Sequence, residues 1–155
     1  MFKLLNLKTT DLNKNLVIEI LKLKNTHWKK GLNSQKNHFN LNINKSDVHI
    51  LLYYKTKLSG YVLLRKKKCF FKNRRISYLH FDTLIIKKKF RNKKISPILM
   101  NFTNNFIRFK KTLSVLYCED NLIKFYKKFK WKKISQKNFI SEIRNNNKKN
   151  IFYFE

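Results

Sequence analysis

An α+β fold is the class this sequence predicts, on three observations. Apolar residues recur at helical spacing in two well-separated stretches, residues 12–23 and 95–109. Runs rich in β-branched and aromatic residues, at 47–54, 58–66 and 76–86, lie between them. Hydrophobic residues make up 43% of the 155 positions, enough for one core, so a single domain spanning residues 1–155 is expected. The same apolar content excludes a disordered polybasic tail, despite a formal net charge of +29.

Residues 3–7 read as a short strand. Leu12, Leu16, Ile20 and Leu23 then recur at spacings of 4, 4 and 3 after Thr10 and Asp11, which are candidate helix caps. Trp28, Leu32 and Phe39 mark a shorter second helix ending before Asn40. The strand-like runs 47–54 and 58–66 are separated by Lys55-Thr56-Lys57, a gap suited to an antiparallel hairpin, and Gly60 marks a bulge. A basic loop with Lys66-Lys67-Lys68 and Arg74-Arg75 is expected next, then a long central strand at 76–86 without Gly or Pro. Ser96 as cap and Pro97 in the first turn open a helix carrying Ile95, Ile98, Leu99, Phe102, Phe106 and Phe109. A strand at 113–118, a helix capped by Asp120, and strands at 131–135 and 151–154 complete the chain, with a Lys/Asn-rich turn at 144–150.

The charge needs discounting before use. Lys and Asn abound, Ala is absent, and Gly, Pro and Arg number 2, 1 and 6, the signature of A/T-rich codons. Yet Asp and Glu total only 8, so the bias does not explain the whole imbalance, and attraction to an anionic partner is expected. The first 13 residues lack the apolar stretch of a signal peptide, and no run approaches the roughly 18 apolar residues of a membrane span, so a cytoplasmic location is expected. Cys69 and Cys118 form neither a metal-ligand cluster nor a disulfide framework and are expected as packed thiols. No metal is expected.

Two segments resemble the GNAT superfamily of acyl-CoA-dependent N-acyltransferases. The first runs from Asp82 through Lys87-Lys88-Lys89-Phe90-Arg91-Asn92-Lys93-Lys94-Ile95-Ser96. It is similar to that family's fourth strand and Arg/Gln-x-x-Gly-x-Gly/Ala loop, with Arg91 on the first position, Lys94 on the first glycine and Ser96 on the last small residue. The second, Phe125-Tyr126-Lys127-Lys128-Phe129-Lys130-Trp131, is similar to the Phe-Tyr-x-x-x-Gly-Phe signature, with Lys130 on the glycine. Leu58-Ser59-Gly60-Tyr61 resembles the family's hairpin. The resemblance implies a mixed sheet with an antiparallel N-terminal half, splayed parallel central strands and helices on both faces.

It also implies acetyl-CoA as acyl donor and a primary amine, on a small molecule or a protein, as acceptor. The loop chemistry fits: six cations lie between residues 87 and 94, ahead of a helix N-terminus whose free N–H groups attract phosphate. Arg91, Asn92, Lys93, Lys94, Ile95 and Ser96 are therefore candidate phosphate contacts. Strict alternation on the long strand puts Tyr78, His80, Asp82, Leu84 and Ile86 on one face and Leu79, Phe81, Thr83 and Ile85 on the other. His80 and Asp82 are then neighbours, able either to activate the amine or to form a satisfied core pair; Glu119 is a further candidate base. By resemblance, Tyr126 protonates the leaving thiolate, backbone N–H groups of Leu84, Ile85 and Ile86 hold the thioester oxygen, and Asn121 and Phe125 contact the coenzyme. His27, Trp28, Ser34 and Gln35 offer polar groups to the acceptor. The rival readings are a basic module for nucleic acid or anionic surfaces, which lacks any recognised nucleic-acid motif, and a GNAT-like domain without acyl transfer.

Overall fold

β1 (Phe2–Lys8) runs along the edge of a mixed sheet, antiparallel to β2 (Val48–Tyr54). This is seen in a computed structural model of the chain, which describes residues 1–71, 73–91, 95–141 and 150–155. β2 turns into β3 (Lys57–Phe71), and β3 pairs from Gly60 to Phe71 with β4 (Arg74–Ile86). β5 (Ser114–Cys118) lies parallel to β4, followed across the sheet by β8 (Asn150–Phe154) and β6 (Lys132–Ile134). The expected antiparallel half, parallel central pair and helices on both faces are all present.

Three details depart from expectation. Lys66-Lys67-Lys68 and Arg74-Arg75 belong to β3 and β4, not to a loop, because the two strands continue as a ribbon to Phe71 and Arg74. β7 (Phe139–Ser141), which the pattern did not announce, pairs with Cys69–Phe71 and occupies the edge of β3 beyond the end of β2. Asn13, not Thr10 or Asp11, caps α1 (Lys14–His27): its side-chain oxygen accepts from the Leu16 N–H at 2.9 Å. Thr10 and Asp11 sit instead in a 3-10 turn, where Asp11 accepts from the Lys8 N–H.

α1 and α2 (Leu32–Asn42) cover one face of the sheet, with Ile20 and Leu23 against Leu51, Tyr61, Leu63 and Ile85. α3 (Ile95–Phe109) and α4 (Ile123–Lys128) cover the other, over Ile50, Leu52, Val62, Leu79, Phe81 and Leu116. Gly60 is set by this second layer. A Cβ there would lie 3.0 Å from Leu99 and 3.1 Å from Ile86, so glycine permits α3 to approach the sheet. The expected bulge is beside it, where pairing steps from Leu52 opposite Gly60 to Tyr53 opposite Leu58. Cys69 and Cys118 are both buried, as expected of packed thiols.

Under α2 lies a buried polar chain. His49 Nδ1 is 2.9 Å from the Tyr61 hydroxyl and its Nε2 is 2.9 Å from the Thr9 hydroxyl. Burial and the Lys24 charge push the imidazole down to about 4. The unfolded chain, with an ordinary histidine near 6.5, therefore takes up a proton at higher pH than the native state does. Stability is fully present above about pH 6.5 and declines on acidification to about pH 4, by about 3 kcal/mol. Denaturant titrations at pH 7.5 and 4.5 should resolve most of this loss, and His49→Gln should remove most of it.

Candidate functional site

The two central strands part almost as soon as they meet. β4 and β5 pair at Leu79–Ser114 and His80–Val115, and among the described residues nothing pairs with that edge of β4 from Phe81 to Ile86. Leu79 and Ser114 close the joined end: the Leu79 N–H donates to Leu113 O at 2.9 Å, and the Ser114 hydroxyl donates to Leu79 O at 2.8 Å. A wedge opens from there toward Ile86 and Cys118.

At the point of parting β4 carries an extra residue. Leu63 pairs with Thr83 and Leu64 with Phe81, which leaves Asp82 bulged. The strict alternation expected for this strand is therefore broken. Leu84 and Ile86 join Leu79 and Phe81 on the α3–α4 side, whereas Thr83 and Ile85 join His80 on the α1–α2 side. The bulge also frees Asp82 from the ladder and points its carboxylate toward α1 and α2.

His80 and Asp82 remain neighbours, Nε2 to Oδ1 3.4 Å. Burial alone would raise the Asp82 carboxyl, but the hydrogen bond and charge of His80, with Arg65 and the Thr83 hydroxyl, outweigh it and hold the acid down at about 2. Thr83 donates to Asp82 at 3.1 Å, and Arg65 lies 3.9 Å away. Because Asp82 is an anion, His80 Nε2 carries the hydrogen between them. Among the described residues Nδ1 is left buried with no hydrogen-bond partner. A fully satisfied core histidine would not show this orphan.

Tyr126 stands on the opposite side of the same opening. It is 6% exposed, with its ring edge-on to Phe81, Phe125 and Trp131 at 5.1 to 6.2 Å. Burial, and then the neighbouring Cys118, push its phenol up, so it holds its proton throughout the neutral range. The phenol and the His80–Asp82 pair thus flank the parting strands from opposite faces of the sheet. Trp131 fixes this arrangement: its indole N–H donates to Asn104, and Asn104 donates to Phe129 O.

Lys130 occupies the place where the resembling signature has glycine. It follows α4 with φ of 65°, the left-handed conformation that glycine adopts at no steric cost. The lysine keeps the backbone path and bears the strain. Lys130→Gly is expected to stabilise the fold by about 0.5–1 kcal/mol, a gain in melting temperature readable by calorimetry.

Beyond β4, Arg91 turns back: its Nε donates to Ile86 O, and Nη2 lies 3.2 Å from His27 Nδ1. Together with Lys87, Lys88 and Lys89 it borders a cavity of about 520 Å³. Asn92, Lys93 and Lys94 lie outside the described residues. α3 begins at Ile95, so Ser96 lies in its first turn rather than at the cap; Ile95 is buried, and only its backbone can face a ligand. Asn121 is exposed in a 3-10 turn before α4, Phe125 is half-buried and Glu119 is exposed at the end of β5. Asp120 does not cap α4; it accepts from the Asn150 side chain. Of the residues expected to serve an acceptor, Trp28, Ser34 and Gln35 line a second cavity against Asp82 and Thr83, while His27 belongs with Arg91. Lys24, Lys30 and His38 line that second cavity too; Lys24, four residues after Ile20, falls on the apolar face of α1, whereas nothing in the pattern of Lys30 and His38 distinguishes them from solvated positions.

No protein-family model matches the chain, and no curated protein matches it in sequence. Its structure is similar to solved acetyltransferases. ElaA from Escherichia coli superposes with a TM-score of 0.74 at 14% identity, covering 100% of both chains. An acyl-CoA N-acyltransferase from Pseudomonas aeruginosa gives 0.73 at 11%, again covering both completely. The Bacillus subtilis N-acetyltransferase YlbP, solved in complex with coenzyme A, gives 0.64 at 19%, covering 100% of this chain and 97% of that one. The chain therefore has the fold of these acyltransferases. Among the described residues no helix is long and apolar enough to cross a membrane, and no cluster of metal-ligating side chains occurs.

Proposed function

We propose that residues 1–155 form one acyltransferase domain that moves an acetyl group from acetyl-CoA to a primary amine by direct attack. One observation carries the reading: β4 and β5 part at a bulge, with a proton-holding phenol on one face and an anion–imidazole pair on the other. A bound thioester supplies the activated acyl group. The chain fits such a ligand, since Lys87, Lys88, Lys89 and Arg91 border an open cavity at the end of β4, as phosphates require.

The β4 edge offers unpaired backbone groups between Phe81 and Ile86, and the N–H groups of Leu84 and Ile86 would hold the thioester oxygen as charge gathers there, whereas the Ile85 N–H, two residues before the Lys87 N–H that bonds Ser59 O, faces Tyr61 of β3. Asp82 attracts the acceptor's ammonium into the cavity. It also keeps the His80 hydrogen on Nε2, so that the pair, directly or through water, takes the proton the amine must lose. The amine nitrogen bonds to the carbonyl carbon, the carbon–sulfur bond breaks, and Tyr126 gives its proton to the departing thiolate. Arg91, Asn92, Lys93, Lys94, Ile95 and Ser96 would bind the pyrophosphate, with Asn121 and Phe125 alongside.

Acetyl-CoA should raise the melting temperature saturably at moderate salt, by the equivalent of about 2.7 kcal/mol at a hundredfold excess over Kd. It should also yield free thiol only when an amine is present. Arg91→Ala should shrink the ligand-induced shift, and its own unliganded temperature must serve as baseline, because Arg91 ties β4 to α1. Equal shifts from any polyphosphate, with no amine-dependent thiol release, would mean nonspecific charge and overturn the reading.

A further inference from the structure

Lys24 is the exception on the inner side of α1. It is 5% exposed, yet it lines the cavity of about 240 Å³ between α1–α2 and the β4 bulge. Its ammonium has no hydrogen-bond or ion-pair partner among the described residues. A buried cation without a partner is costly, and side chains of this kind are ordinarily paired or bound to an anion. Around it stand Lys30 and His38, with Ser34 and Gln35 supplying neutral polar groups, and Arg65 is near enough to influence Lys24. Among the described residues lining the cavity the one carboxylate is Asp82, beside the wedge, and it is already engaged by His80, Thr83 and Arg65. Burial pushes the Lys24 ammonium down by more than the charge of Asp82 raises it, and burial with the Lys24 charge pushes His38 down as well, so the positive charge around this cavity is only partly compensated.

Resting on the acyl-transfer reading, we infer that the acceptor is a small amine bearing its own anionic group, carboxylate or phosphate. The anion sits against Lys24 and Lys30 while the amine points past Asp82 into the wedge. Asp82, beside the wedge, and the Lys24–Lys30 pair differ in sign, and this sets which end of such a ligand faces the thioester. The volume, room for roughly eight waters, suits a compact molecule rather than a folded protein surface. A purely cationic acceptor such as a polyamine would bring positive charge onto Lys24 and Lys30 and gain only Asp82.

Calorimetric binding to the full chain at physiological salt tests this with matched pairs: glycine against glycinamide, phosphoethanolamine against ethanolamine, glucosamine 6-phosphate against glucosamine. Acetyl transfer to each is followed in parallel. The anionic member should bind about 10- to 100-fold more tightly, the range of a charge-assisted hydrogen bond to a desolvated ammonium. Whether the carboxylate or the phosphate pairs show the larger ratio identifies the anion. The ratio should fall toward one in Lys24→Met, decrease in Lys30→Glu, which is an exposed site and tests the idea should the first variant not fold, and persist in the remote Lys132→Gln. Neutral amines or spermidine binding as tightly as the anionic ones would overturn the inference, as would an unchanged ratio in both cavity variants. Transfer without anion preference sinks this inference alone. Anion preference without transfer to any amine sinks acyl transfer and leaves the cavity's specificity standing.

Discussion

Tyr126→Phe is expected to lower kcat by about 10² to 10⁴-fold with little change in KM, the range typical of losing a general acid. The substitution removes only the hydroxyl, and the ring keeps its edge-on contacts with Phe81, Phe125 and Trp131, so binding and folding should barely change. The direction of the phenol's shift adds a second readout. Burial, with Cys118, drives it above its ordinary value of 10, so Tyr126 stays protonated through pH 10 and kcat should show no alkaline decline from this group. Asp82, held at about 2, is an anion at any working pH. An acid limb in kcat/KM therefore does not belong to Asp82. Full turnover by Tyr126→Phe, with chemistry rate-limiting, would remove the phenol from the mechanism.

What the sequence carried, and what it did not, follows from how local each signal is. α3 was legible because Ile98, Leu99, Phe102, Phe106 and Phe109 follow at helical spacing a proline suited to a first turn, and the structure places the helix over these residues. The central strand was legible by composition. Its bulge was not, because Thr83, Leu84, Ile85 and Ile86 suit either face, and one extra residue leaves no trace in such a run. That single residue decides which side chains meet the cavity beneath α1 and α2. The ribbon carrying Lys66-Lys67-Lys68 and Arg74-Arg75 read as a loop because charge ordinarily marks solvent, yet in this chain lysine also serves as the outward residue of strands. β7 is three residues long and owes its existence to the vacant edge of β3, which no local pattern reports. Lys130 shows the converse. The glycine signature appeared broken, but the backbone it encodes persists at φ 65°.

Asp47 is the clearest case of a residue whose weight is invisible before folding, and Asp47→Ala is expected to cost about 3–5 kcal/mol. Read as the first residue of a strand, it is instead fully buried just before β2. One oxygen accepts from the Asn44 N–H at 2.8 Å, the other from the Lys66 N–H at 3.0 Å, and Arg65 lies 3.7 Å away. Its own carbonyl takes the Thr9 N–H, joining β1 to the end of the α2–β2 connection. Alanine would strand two part-buried backbone donors and leave Arg65 facing Asp82 without its second anion. Asp47→Asn keeps the size and one acceptor, so its cost should be smaller, about 1–3 kcal/mol. Against the 5–15 kcal/mol usual for a folded domain, the alanine variant should lose roughly 6–20 °C in melting temperature. Arg65 also bonds the carbonyl of Asn42 at the end of α2, so the loosened guanidinium unseats the helix that walls the cavity. Residual folded protein should then bind acceptor amines more weakly even below its transition. A loss under 1 kcal/mol by denaturant titration would show that water satisfies these donors and that the lock is not Asp47.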